Sequence, residues 1–298
     1  MASIRKRKIG KRTYYYLEHS YKADGKINLI SRYLGQELPY DARQINALKK
    51  DLELEIMRRK WQKELLSIKK NYSKELRKLP KIAKDKSIEA FMVDFIFNSD
   101  RIEGSKLSYK DTANLLVHGS TPKNKPVKDI KEAEGYKKAF YDMLRYKGSL
   151  TLAKICSWHK MIFENSYPVI AGKIRGHKIM VTGTRVSFPH PENINRYMDE
   201  FFRWYKNNKK KYHPVEFAAL VHLKFVTIHP FTDGNGRISR LLANFVLYNE
   251  NCPMSNILFG DRVAYYTALE HSQLYDEDKH FLRYFIRRYV KGNKEYLG

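Results

Sequence analysis

Beyond Pro80, apolar residues recur at three- and four-residue steps, interrupted by glycine, proline and polar turns. The pattern predicts helices over 87–104, 108–119, 129–146, 151–165, 192–207, 214–229, 236–250, 261–273 and 278–290. Gly104 stands where the first of these needs a C-terminal cap. Two stretches leave the helical period. "TYYYLEHSY" (13–21) and "INLISRYLG" (27–35) flank Asp24-Gly25 and predict a hairpin. "KIRGHKIMVTGTRVSFPHP" (173–191) gathers β-branched residues around Gly183 and predicts an irregular hairpin projecting from a helical body. From about Tyr40 to Leu79, Ile45, Leu48, Leu52, Ile56, Leu65 and Ile68 fall near helical spacing between charges, which predicts a long amphipathic helix. The expected architecture is mainly α, with a β-rich N-terminal element (1–39), a charged helical segment (40–80) and a helical body (81–298).

Composition narrows the class without choosing a function. A chain of 298 residues with 43% hydrophobic and 13% aromatic content can bury a sizeable core. No apolar run approaches the ~20 residues of a membrane helix, so no membrane role is expected. The basic N-terminus has no apolar segment behind it and does not read as a secretory signal. Cys156 and Cys252 form neither a disulfide framework nor a metal quartet, which predicts a reducing, cytoplasmic setting. Residues 1–80 hold 21 Lys/Arg against 9 Asp/Glu, so +12 of the net +25 lies there. Such charge fits a nucleic acid or an acidic partner, or a solvated lysine-rich surface. The helix of 40–79 packs either on the body or on a second copy, which leaves a homo-oligomer open.

Chemistry concentrates in "HPFTDGNGRISR", residues 229–240. Pro214 and Pro230 bracket a helix that delivers His229 to its end, beside a loop. Gly234, Asn235 and Gly236 lead into the next helix, where backbone N–H groups form an anion site. Arg237 and Arg240 are three apart and share a face, which suggests a polyphosphate. Asp233 beside that loop is a natural ligand for Mg²⁺ on phosphate oxygens, and His229 for a general base acting on a hydroxyl. A capped turn with surface arginines would need none of this. By average usage the coincidence is on the order of 10⁻¹¹ to 10⁻¹² per start position.

The stretch resembles the signature of Fic-domain proteins, His-Pro-Phe-x-(Asp/Glu)-Gly-Asn-Gly-Arg-x-x-Arg, at every defined position, and the resemblance extends over roughly 85–290. It implies a mainly helical Fic-type fold and transfer of AMP from ATP to a hydroxyl side chain of a protein, releasing pyrophosphate. By that resemblance His229 is the base and Asp233 holds Mg²⁺ (or Mn²⁺). Gly234, Asn235, Gly236 and Arg237 bind the phosphates, and Arg240 holds the γ-phosphate. The phosphorylating branch of the family replaces parts of the glycine loop, which this chain retains.

A second motif stands apart in sequence. Ile88, Met92, Phe95 and Ser99 form a helical stripe that Glu103 continues. A carboxylate there, in the last helical turn, needs a cation or an exit to solvent. Ser99, Glu103 and Gly104 match the Fic inhibitory pattern (Ser/Thr)-x-x-x-Glu-(Gly/Asn). The resemblance then implies that Glu103 pairs with Arg240 and keeps ATP from seating productively. The 173–191 hairpin is either a structural excursion only or, as the resemblance implies, the flap that receives the target segment, with Ile179, Met180, Val181, Thr182 and Gly183 on its docking edge. The partner is an unidentified protein substrate, and self-modification is expected. Two other functions remain open at this point. The same site could remove AMP from a modified protein, or the basic N-terminal region could make the chain a nucleic-acid-binding regulator.

Overall fold

A computed structural model describes residues 2–23, 25–38, 41–180 and 183–297. Asp24, Tyr40, and Val181 and Thr182 of the flap lie outside the described residues. The chain divides into two compact units, Met1–Leu66 and Ser67–Gly298.

The first unit is a three-stranded antiparallel sheet, β1 (Ser3–Ile9), β2 (Arg12–Ala23) and β3 (Lys26–Gly35), in that order. The hairpin read from the sequence is β2–β3, with a register shift at Tyr15/Tyr16. The third strand, β1, carries no apolar alternation because it is an edge. Its lysines and arginines are exposed, and it pairs through the backbone ladder from Ser3↔Glu18 to Ile9↔Arg12, with Arg7 also reaching Glu18 of β2. Leu17, Ile30 and Leu34 form the buried face together with Leu52 and Ile56 of helix α1. That helix runs unbroken over Ala42–Lys78 and stops before Pro80.

The second unit is helical: α2 (Lys81–Ile102), α3 (Tyr109–His118), α4 (Val127–Arg145), α5 (Leu152–Phe163), α6 (Ile194–Asn208), α7 (Pro214–Ile228), α8 (Asn235–Asn249), α9 (Arg262–Tyr275) and α10 (Lys279–Gly292). Its centre is the α7–α8 pair. Both are buried nearly all round, with α6 and α10 against α7, and α2, α4 and α5 against α8. The last turns of α1 belong to this unit: Asn71 donates to Tyr296 O (2.9 Å) and Ser67 to Leu297 O (3.0 Å). Helix α2 begins six residues before the expected start, directly after Pro80, which supplies the N-cap position. Helix α3 has a reciprocal capping box between Ser108 and Asp111.

Residues 173–191 depart from the expected hairpin. Among the described residues they form no ladder with one another, and the only strand pairing is a bridge from Ile174 to Phe231. Met180 is 97% exposed, so it adds no packed apolar face to hold two strands together. Among the described residues no helix is long and apolar enough to cross a membrane.

Helices α4 and α5 approach each other at Gly135, where a Cβ would overlap Met161 O and stand 2.7 Å from Ile162 O. Gly135→Ala is therefore expected to destabilise the protein by about 1–3 kcal/mol through overpacking, read from urea unfolding.

Candidate active site

The site forms where α7 ends and α8 begins. His229 caps α7 in a left-handed conformation (φ 52°), its N–H still donating to Phe225 O at 3.1 Å. A non-glycine residue there is strained, and the neighbours hold it in place. Its Nδ1 donates to Val226 O at 3.0 Å, which leaves Nε2 without a proton. The ring packs 4.2 Å from that of Phe188. Burial pulls its pKa down to about 4, with Arg175 adding to the effect and the Val226 bond opposing it. The imidazole is neutral at pH 7.

The loop after His229 is closed by Asn235. Its amide accepts from Phe231 N (2.9 Å) and donates to Phe231 O (2.8 Å), so this side chain is committed to the loop itself. Gly234 takes φ 78° and leaves room for Phe163; a Cβ would stand 2.6 Å from the ring's Cζ. Helix α8 has no side-chain cap, so its first-turn N–H groups face outward for an anion. Asp233 accepts from Gly234 N–H at 2.6 Å and its side chain stays 42% exposed.

The two arginines differ. Arg237 is buried between carboxylates: its Nη1 bonds Glu132 and lies 3.8 Å from Asp100, and its Nη2 is 3.7 Å from Asp233. The guanidinium also lies 4.5 Å over the Phe163 ring. Burial pushes Asp100 up to about 7, although Arg237 pulls the other way. Arg240, also buried, donates from Nε to Ser99 Oγ (2.7 Å) and from Nη2 to Ser99 O (3.2 Å). Its Nη2 also meets Glu103 Oε1 at 2.6 Å, and Nη1 reaches the Tyr265 hydroxyl at 3.3 Å. The stripe on α2 thus ends on a cation, 137 residues away in sequence. The Glu103 carboxylate lies over the start of α8, in the space that Gly236 leaves empty; a Cβ there would overlap Oε1. Glu103 is the C-cap residue of α2, and Gly104 turns the chain away at φ 98°.

The sequence reading missed Glu132 and Asp100 beside Arg237, Tyr265 beside Arg240, and three further supporting residues. Tyr136 joins α2 to α8: it donates to Arg237 O (2.8 Å) and accepts from Ser99 Oγ (3.2 Å). Arg175 ties the 173–191 segment to the turn at His229, donating from Nε to His229 O (2.8 Å), from Nη1 to His177 O (2.8 Å) and from Nη2 to Pro189 O (2.7 Å). His159, fully buried on α5, accepts from Gly172 N–H at Nδ1 (2.9 Å), so its Nε2–H donates to Asp233 O (3.0 Å). Its ring stacks on Phe231 at 3.9 Å. In sequence these are one arginine in a basic stretch and two members of apolar helical faces, with nothing to mark them. Ile179, Met180 and Gly183 lie at the flap tip, away from these contacts.

A left-handed histidine, a glycine-opened helix start and a carboxylate laid across it on a buried arginine define a class. The chain belongs to the Fic/DOC family, whose model matches residues 149–247. Among its relatives, protein adenylyltransferase Fic of Nematostella vectensis is 30% identical over 218 residues, 72% of this chain and 50% of that protein. Protein adenylyltransferase fic-1 of Caenorhabditis elegans is 29% identical over 214 residues, 68% of this chain and 41% of the relative. The chain thus spans about half or less of these relatives' length. A Fic-domain-containing signalling protein from Bacteroides thetaiotaomicron superposes with a TM-score of 0.70 at 26% identity, covering 78% of this chain and 96% of that one. Residues 134–508 of C. elegans Fic-1 give the same TM-score and identity over 87% and 78%.

His159→Phe keeps the stacked ring but strands Gly172 N–H and Asp233 O, so unfolding free energy should fall by about 2–4 kcal/mol in urea titrations. Burial holds the His159 pKa near 4 against 6.5 for the unfolded group. The unfolded chain therefore binds the proton first, and this group erodes stability as pH falls from 6.5 towards 4. The phenylalanine variant should lack that share of the acid sensitivity.

Proposed function

We propose that this chain is a protein adenylyltransferase held in check by Glu103. The observation that carries the reading is the Glu103–Arg240 contact of 2.6 Å across the uncapped start of α8. In the active form the phosphates of ATP take the place of that carboxylate. The N–H groups of α8's first turn and the freed Arg240 face them, and Arg237 adds positive charge beneath the loop.

The protein's own part in the reaction follows from His229. Nδ1 is occupied by Val226 O, so Nε2 takes the proton of the incoming hydroxyl. The hydroxyl oxygen forms a bond to the α-phosphorus, the bond from that phosphorus to the bridging oxygen breaks, and pyrophosphate leaves. Asp233, with its exposed carboxylate beside the anion site, suits Mg²⁺ or Mn²⁺ held mainly by phosphate oxygens and water. No cluster of three or more His, Cys, Asp or Glu able to hold a metal exists among the described residues, so a metal caged by protein ligands does not fit here. Bound there, the ion would offset charge on the departing pyrophosphate. The substrate is a protein segment laid along the flap, where the backbone near Ile179, Met180 and Gly183 forms no ladder among the described residues. Free thiols at Cys156 and Cys252, and the need for ATP, agree with a cytoplasmic setting.

Glu103→Gly should raise AMP transfer, read as self-modification from labelled ATP, by at least about tenfold, equivalent to ~1.4 kcal/mol. Arg240→Ala should lower transfer, and adding Glu103→Gly should not restore it. Flat activity in a folded Glu103→Gly protein would refute the inhibitory role. His229→Ala in the released background should abolish transfer while nucleotide binding persists, and excess chelator should do the same.

Because burial holds the His229 pKa near 4, its base form survives well below pH 6.5. Initial rates of the Glu103→Gly protein should therefore show no histidine-type loss centred at 6.5; such a loss would contradict the assigned base.

A further inference from the structure

The N-terminal sheet has an outward face whose chemistry the AMP-transfer site does not use. Leu17, Ile30 and Leu34 occupy the other face, packed with Leu52 and Ile56. The strand register sets Arg5 opposite Tyr16, Arg7 opposite Tyr14, and Tyr16 opposite Tyr33. These side chains therefore share the outward face. The Tyr33 ring lies 5.4 Å from that of Tyr16 and 6.2 Å from that of Tyr14, and the Arg7 guanidinium sits 4.6 Å over Tyr16. Tyr33 is 53% exposed, and Leu29 and Ile27, further back along β3, are 55% and 81% exposed.

The charge around this cluster is one-sided. By register this side of the sheet carries Arg5, Arg7, Arg12 and Lys22 against a single acid, Glu18, while Arg32 turns to the other side and pairs with Asp51 and Glu55. Glu18 is already neutralised, bonded by Arg7 and accepting from Ser31 at 3.0 Å. A complementary ligand must be anionic along its length and must offer flat faces to the tyrosines. Single-stranded nucleic acid has both, in its phosphates and its unstacked bases. A duplex keeps its base faces inside its own stack, and an anionic lipid surface has none.

We propose that the outward face of β1–β2–β3 binds single-stranded nucleic acid, with a base stacked on Tyr33, which Tyr16 and Tyr14 flank, and the backbone held by Arg5 and Arg12. The inference is independent of the adenylyltransferase reading, since it concerns another part of the chain and a different ligand.

The test is fluorescence anisotropy of a labelled pyrimidine-rich 20-mer, as DNA and as RNA, titrated with the full chain at several salt concentrations. Tyr33→Ala should weaken binding by roughly fivefold or more with the salt slope unchanged, whereas Tyr33→Phe, which keeps the ring, should bind like the parent. Arg5→Ala should weaken binding and flatten the salt slope by about one unit, and Lys210→Ala, in the second unit, should do neither. Tyr33→Ala should keep the parent's circular dichroism and its resistance of the first 66 residues to limited proteolysis, which shows that the sheet still folds, and AMP transfer by the Glu103→Gly protein should be the same with and without it. The proposal is overturned if the parent fails to bind at low salt, if Tyr33→Ala binds like the parent, or if a duplex of the same sequence binds as tightly as the single strand.

Discussion

The site is organised around one buried cation. Arg240 cannot lose its charge and is almost wholly removed from water, so the fold must supply acceptors for its guanidinium. Four do so: Ser99 Oγ, Ser99 O, Glu103 and the Tyr265 hydroxyl. Two elements are thereby fixed against α8. Helix α2 must end where Ser99 and Glu103 fall on the same stripe, and α9 must bring Tyr265, whose hydroxyl also hydrogen-bonds the buried His222 at 3.1 Å. Removing one acceptor leaves three, so the charge is held by a set and not by a single partner.

The same economy applies to the loop. Its backbone groups are satisfied by side chains that face inward: Asn235 for Phe231, His159 for Asp233, Arg175 for the carbonyl of His229. With these groups occupied, the N–H groups at the start of α8 and the Nε2 of His229 are left for chemistry. A preorganised anion site needs such a scaffold, because an unsupported loop would turn those donors towards water.

The sequence was legible where chemistry and periodicity coincide. His229 to Arg240 stand within twelve positions with no spare choices, and a glutamate on an apolar stripe called for either a cation or an exit to solvent, of which the fold uses the first. Helix existence was readable; helix starts were less so, as α2 shows, because Pro80 begins that helix as well as ending the one before it. Strand β1 was invisible since an edge strand pairs by backbone and can carry any exposed side chain. Among the described residues of 173–191 no ladder forms, because β-branched residues promote one only when a packed face rewards it. Tyr136, His159 and Arg175 were silent for a different reason: their roles lie in carbonyls they reach, and a carbonyl has no letter in a sequence.

Gly236 carries a consequence for how such a protein can change over generations. The space that admits Glu103 is, under the proposed reading, the same space through which α8 would face an incoming anion, so a side chain at this position would expel the carboxylate and block the substrate together. Under the proposed reading, mutations around α8 silence the protein, whereas those that unleash it are confined to the end of α2. Restraint is then easily lost from one side and cannot be shed from the other without losing activity too.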